Sequence, residues 1–135
     1  MTRSHPKPFN LIGWSLGGIY ARELTKRLAG RVGRVIMTGT PFAVRPDRTH
    51  ATGVYRRVNA KKPPFDAALA RHIAAAPQVP TTSIYSRSDG VAAWQACIQK
   101  GQRRRSENIE VTGSHCGLGW NSEVFRIVAD RVRQR

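Results

Sequence analysis

Phe9-Asn10-Leu11-Ile12-Gly13-Trp14-Ser15-Leu16-Gly17-Gly18 sets an apolar run, a serine flanked by glycines and the start of a helical pattern in direct succession. The order predicts a strand over 9–12, a sharp turn at Ser15 and a helix over 16–29. A turn this tight lifts the serine hydroxyl above the end of the strand. Gly13 and Gly17 lack a Cβ, so the reading has strand and helix approach closely around it. The helix then aims its first N–H groups, beginning with that of Leu16, at the space in front of the hydroxyl, where an oxyanion is stabilised. Leu16, Ile19, Tyr20, Leu24 and Leu28 recur at helical spacing and predict the buried stripe, with Glu23 set to pair with Arg27. Gly30 supplies a stop.

Two further residues follow at the ends of strand-like runs. Thr82-Ser83-Ile84-Tyr85 leads into Ser86-Arg87-Ser88-Asp89-Gly90, and Ile109-Glu110-Val111-Thr112 leads into Gly113-Ser114-His115-Cys116-Gly117. Serine, aspartate, histidine in that chain order is one of three orders in which a nucleophile, a base and an orienting acid recur. With these residues the chain resembles the α/β-hydrolase superfamily, in particular its bacterial esterase- and lipase-like members. The resemblance covers 9–29, the strand ending in Thr38-Gly39-Thr40-Pro41-Phe42, Ser86 to Trp94, Gly113 to Asn121 and the terminal helix. It implies an α/β fold and a carboxylic ester hydrolase, with Ser15 as nucleophile, His115 as base and Asp89 orienting it. The Leu16 N–H is one oxyanion donor in that reading, and Trp14 and Trp94 are pocket walls, each with core packing as its alternative. No cofactor and no metal is implied. The family's elbow follows several strands, whereas here it begins nine residues after Met1. The expectation is therefore a partial fold resembling the C-terminal half of a hydrolase, with the second oxyanion donor outside it.

The bland readings stand beside these. Ser15 also suits a helix N-cap. Asp89-Gly90 also suits a turn. His5, His50 and His72 read as structural or exposed, and Asp47 and Asp66 as poorer acids than Asp89. Cys116 beside His115 is a poor thiol nucleophile, because adjacent side chains rarely point together.

Outward from these residues, four strands at 9–12, 34–38, 81–86 and 108–112 predict one parallel sheet with helices on both faces. Helices are expected at 65–76, at 92–99 and from an Asn121 or Ser122 N-cap onward, the last with Val124, Phe125, Ile127, Val128 and Val132 on its apolar side. The interval 42–80, broken by Pro46, Pro63-Pro64 and Pro77, is either a cap over the site or a long connection.

With 135 residues the chain suits a single domain. Nothing in it approaches the roughly 18 apolar residues of a membrane span, and no signal peptide is read, so a cytoplasmic location is expected. Cys97 and Cys116 read as buried free thiols. The net charge of +15 favours polyanions. Only Lys100 and Arg103-Arg104-Arg105 form a run, however, and no stacking aromatics interleave with it, so specific nucleic-acid binding is the third reading. The second is a partner-dependent fragment without turnover of its own. Its unpaired edge at 9–12 would be covered by a second copy or a complementing chain; the partner of the first reading is a small-molecule ester.

Overall fold

Two apolar layers sandwich a sheet of four parallel strands in the computed structural model, which describes residues 7–28, 30–43, 67–101 and 104–134. The elements run β1 (Phe9–Trp14), α1 (Leu16–Arg27), β2 (Val32–Thr38), α2 (Ala67–Ala74), β3 (Thr81–Tyr85), a 3-10 turn (Trp94–Cys97), β4 (Ser106–Glu110), a second 3-10 turn (Gly117–Trp120) and α3 (Ser122–Arg133). The strands lie side by side in chain order, with Leu11 beside Val35 and Val35 beside Thr81. Parallel strands wound with one hand in sequential order send every crossover over the same face. Accordingly Ala21 of α1, Phe42 and Ile73 of α2 pack with Leu11, Val35 and Met37 on one side. On that side too, the Ser83 hydroxyl donates to the Cys97 carbonyl in the first 3-10 turn. α3 connects no strands and covers the other face, where Val124, Ile127 and Val128 pack with Ile36, Ile84, Val111 and Leu118. Asn121 is its N-cap, accepting from the Glu123 and Val124 N–H groups.

Several expectations are corrected. The stripe Leu16, Tyr20, Leu24 of α1 is exposed, and the face turned to the protein carries Gly18, Ala21, Arg22 and Thr25. α1 lies close enough to the sheet for Gly18 and Ala21 to be buried against it, while the Arg22 side chain runs out to the end of α2. Glu23 pairs with Lys26 and His72, both at 2.7 Å, in place of Arg27. Residues 92–99 form no α-helix beyond the short 3-10 turn. The carbonyls that would continue a helix serve elsewhere: that of Ala96 accepts from the Ala43 N–H, and that of Cys97 from Ser83. β4 begins two residues before the predicted strand, because Ser106, Glu107 and Asn108 give this edge strand a polar start. Phe125 and Val132 of α3 are exposed. Cys97 is buried, but Cys116 is exposed, and both are free. Burial, helped by the negative charge of Asp89, pushes the Cys97 thiol up to about 12 and leaves it protonated.

Arg22 is fully buried without a carboxylate on its guanidinium. Nε donates to the Ile73 carbonyl at 2.8 Å, and Nη2 donates to Ala74 at 2.7 Å, Ala75 at 3.0 Å and the Gln99 side chain at 2.5 Å. Phe42 stacks 4.1 Å beneath it. The free carbonyls at the C-terminus of α2 supply the partial negative charge that a carboxylate would otherwise provide. Burial pulls this guanidinium down to about 10, against the attraction of Glu23, which still leaves it charged at neutral pH. Arg22 thus fastens α2 to α1. Residues 44–66, with Asp47, His50 and Asp66, lie outside the described residues, as do His5 and Arg103, so the cap expectation falls mostly on undescribed chain. Among the described residues no helix is long and apolar enough to cross a membrane.

Candidate active site

Parallel strands bring all their C-terminal ends to one edge of the sheet, and loops leaving that edge converge. Ser15 follows β1, Thr40 follows β2, Asp89 follows β3 and His115 follows β4. Ser15 has φ 54° and ψ −125°, and is the one non-glycine residue with positive φ among those described. A side chain held there costs on the order of 1–3 kcal/mol and persists only where surrounding bonds fix it. They do: the Ser15 N–H donates to the Thr38 carbonyl at 2.9 Å. Its own carbonyl accepts from the Gly18 N–H at 3.1 Å and from the Thr40 hydroxyl at 2.9 Å. Ser15 stands at the N-cap position of α1, but its side chain makes no cap bond there.

The structure brings the three predicted side chains into one line. Ser15 Oγ lies 2.8 Å from His115 Nε2, and His115 Nδ1 lies 2.7 Å from Asp89 Oδ2. The Asp89 side chain is almost fully buried and His115 nearly so, while Ser15 stays half-buried. Asp89 Oδ1 accepts from the Val91 and Ala92 N–H groups, each at 2.8 Å. One Asp89 oxygen thus closes the turn, and the other faces His115 Nδ1. The Trp14 indole donates to the His115 carbonyl at 3.2 Å, and its ring lies 5.6 Å from the imidazole. Trp94 is placed differently: half-buried, it stacks on Tyr85 at 6.0 Å and carries the Arg87 guanidinium 4.2 Å above its ring. His72 is exposed on Glu23, as read. Arg105 of the basic run donates to the Gln78 carbonyl at 3.0 Å. The Leu16 N–H opens α1, ahead of its first intrahelical bond.

The glycine reading needs one correction. A Cβ on Gly13 would lie 2.4 Å from the Gly18 Cα, but one on Gly17 would meet nothing within 4 Å. The second tight glycine is Gly18, whose Cβ would fall 1.9 Å from the Thr40 hydroxyl. Sequence reasoning also missed Gly39 and Ser86. Gly39, at φ +55°, lies under the Asp–His pair, where a Cβ would come 3.2 Å from Asp89 Oδ2 and 3.4 Å from His115 Nδ1. Ser86 is buried, and its hydroxyl oxygen accepts from the Ser88 and Gly113 N–H groups, both at 3.1 Å. It thereby joins the loop of Asp89 to the loop of His115.

No protein-family model matches the sequence, and no curated protein matches it. Solved structures do. A monoacylglycerol lipase from Paleococcus ferrophilus superposes with a TM-score of 0.62 at 13% identity, over 92% of this chain and 67% of its own. A serine hydrolase involved in carbazole degradation gives 0.65 at 13% identity, over 98% and 66%. The mouse α/β-hydrolase domain-containing protein 10 gives 0.57 at 14% identity, over 98% and 63%. This chain has the α/β-hydrolase fold. It spans about two thirds of the length of these structures.

Within this α/β-hydrolase fold, Ser86 offers a test of how the two loops are held. Ser86→Ala leaves two N–H groups without their acceptor, that of Gly113 in a half-buried loop. The expected cost is about 1–3 kcal/mol of stability. Urea denaturation of the purified variant reads it directly, and a loss below measurement error means that water replaces the hydroxyl.

Proposed function

We propose that this chain is a serine hydrolase that cleaves small carboxylic esters through an acyl-Ser15 intermediate. The observation that carries the reading is the unbroken line Ser15 Oγ–His115 Nε2–His115 Nδ1–Asp89 Oδ2, at 2.8 and 2.7 Å. Each end has the environment its role needs. Asp89 accepts two backbone N–H groups on one oxygen and offers the other oxygen to His115 Nδ1–H. That leaves Nε2 as the acceptor of the Ser15 proton. Ser15 Oγ then bonds to the ester carbonyl carbon, and the carbonyl oxygen takes up negative charge that the Leu16 N–H stabilises. His115 returns the proton to the leaving alkoxide as the carbon–oxygen bond breaks. Water enters by the same route in reverse and releases the acid. Exposed Trp14 and Leu16 border Ser15 and suit an apolar acyl or alcohol group. The monoacylglycerol lipase among the structural relatives supports an ester substrate.

A fluorophosphonate probe tests this on the intact chain. Ser15 Oγ displaces fluoride from phosphorus, and His115 takes the serine proton, so a phosphonylated peptide containing Ser15 is expected by mass spectrometry. Ser15→Ala should abolish it. Equal labelling of both proteins, or none of the folded wild type, rejects an activated Ser15. A second reading, a formed line without turnover, is favoured by the outer edge of β1, which no described strand covers. Labelling without hydrolysis of a short-chain aryl ester distinguishes it.

A further inference from the structure

The strand order β1-β2-β3-β4 puts β1 and β4 three strand spacings, about 14 Å, apart. Ser15 follows β1 and His115 follows β4. The loop that carries the imidazole therefore has to reach across the ends of β3 and β2 to meet the serine. Its start is tied twice. The Gly113 N–H donates to Ser86 Oγ at 3.1 Å, and the Asn121 side chain donates to the Thr112 carbonyl at 2.9 Å. Neither bond holds the tip. Asp89 holds His115 at Nδ1, but a ring held there alone can still pivot about that bond and carry Nε2 off the serine.

The tip is held from β1, by Trp14. Its indole Nε1–H donates to the His115 carbonyl at 3.2 Å. Within the loop, the Leu118 and Gly119 N–H groups go to the Ser114 and Cys116 carbonyls, so the loop's own bonds pass over the carbonyl of His115. The indole ring also lies beside the imidazole, with centroids 5.6 Å apart and planes tilted by 34°, within the range of packed aromatic pairs. The returning limb of the loop follows the same ring: a Cβ on Gly119 would stand 4.0 Å from Trp14 Cε2.

We infer that Trp14 is a positioning residue for His115, holding the backbone and the ring of the base from the place next to the nucleophile. Trp14 and Ser15 share a peptide unit. A shift at the end of β1 therefore moves the serine and the anchor of its base together, and the 2.8 Å between Ser15 Oγ and His115 Nε2 is kept. This duty is separate from bordering the substrate, because a pocket wall needs the ring and not the N–H. Its effect on rate rests on the proposed hydrolase activity, whereas its effect on the imidazole does not. Misplacement of a reacting group by about 1 Å costs on the order of 10²-fold in rate, which is why one neutral hydrogen bond matters here.

Trp14→Phe keeps an aromatic wall and removes the N–H. For a short-chain aryl ester it should lower kcat by on the order of ten- to a hundredfold and leave KM within about threefold of wild type. Fluorophosphonate labelling of Ser15 should slow to the same extent. Nitrogen NMR of protein carrying isotopically labelled histidine reads the geometry without turnover. The His115 Nε2 resonance should move in Trp14→Phe toward that of a nitrogen accepting no hydrogen bond. In the wild type, which needs no variant to fold, the Trp14 indole N–H should exchange with solvent at least about tenfold more slowly than that of Trp120, although both side chains are exposed. An unchanged Nε2 resonance, indole exchange as fast as that of Trp120, or a raised KM with kcat intact makes Trp14 a wall only and overturns the proposal. A wild type that neither labels nor hydrolyses, but whose Nε2 resonance depends on Trp14, overturns the hydrolase activity and leaves the positioning of His115 standing.

Discussion

If the proposed reading holds, Asp89→Asn is expected to lower kcat/KM for a short-chain aryl ester by on the order of 10⁴-fold at neutral pH while leaving the protein folded. The size follows from where the two Asp89 oxygens are committed. One accepts from the N–H groups of Val91 and Ala92, and the other faces His115 Nδ1. An asparagine has one oxygen and one NH₂. The two backbone donors hold the oxygen where Oδ1 was, so the NH₂ is turned toward the imidazole. Nδ1 must then be the unprotonated nitrogen, and the proton moves to Nε2. The ring now donates to Ser15 instead of accepting from it, and the base is lost without removal of a single heavy atom from the line. Steady-state kinetics beside a circular-dichroism spectrum check this. Activity within tenfold of wild type would show that the turn is the whole role of Asp89.

Gly17→Ala and Gly18→Ala, adjacent substitutions of the same kind, should have opposite signs. A methyl on Gly17 meets nothing within 4 Å and removes backbone freedom from the unfolded chain inside a helix, so about 0.5–1 kcal/mol of stabilisation is expected. A methyl on Gly18 falls 1.9 Å from Thr40 Oγ1 and 2.8 Å from Thr40 Cβ, within contact limits no side chain tolerates. α1 must then lift from β2, and the hydroxyl bond that holds the Ser15 carbonyl breaks with it. The cost is roughly 3 kcal/mol or more, together with loss of fluorophosphonate labelling. Thermal melts of the two variants show the sign. Partial recovery in Gly18→Ala/Thr40→Gly, which removes the obstructing side chain, identifies the clash as the cause; no recovery assigns the loss to the helix itself.

The parallel sheet and the meeting of Ser15, Asp89 and His115 were legible in the sequence for one reason. Each residue follows the end of an apolar run, and parallel strands bring those ends to one side whatever lies between. Periodicity was less informative about α1. It identifies a helix and its apolar side, but which side is buried depends on how near the sheet lies, and at the distance set by the turn at Ser15 it is Gly18 and Ala21 that are buried. Gly18, Gly39, Thr40 and Ser86 escaped because their work is done across the chain. Thr38-Gly39-Thr40 reads only as a strand end until Gly18 is seen against Thr40 and Gly39 beneath the imidazole. The exposed Cys116 and the buried Arg22 break the residue averages for the same kind of reason: one lies on a loop surface, and the other finds helix carbonyls in place of a carboxylate.

The Arg22 clamp has an evolutionary consequence. Ala43 is fixed to Ala96, and α2 is fixed to α1, so the chain leaves the sheet at one anchored point and returns at another. Lengthening a connection between fixed posts is cheap, about 0.6 kcal/mol for each doubling. Neither post bears the proposed chemistry. Insertions and deletions between residues 43 and 67 can therefore accumulate in descendants of this gene while the serine, the histidine and the aspartate keep their distances.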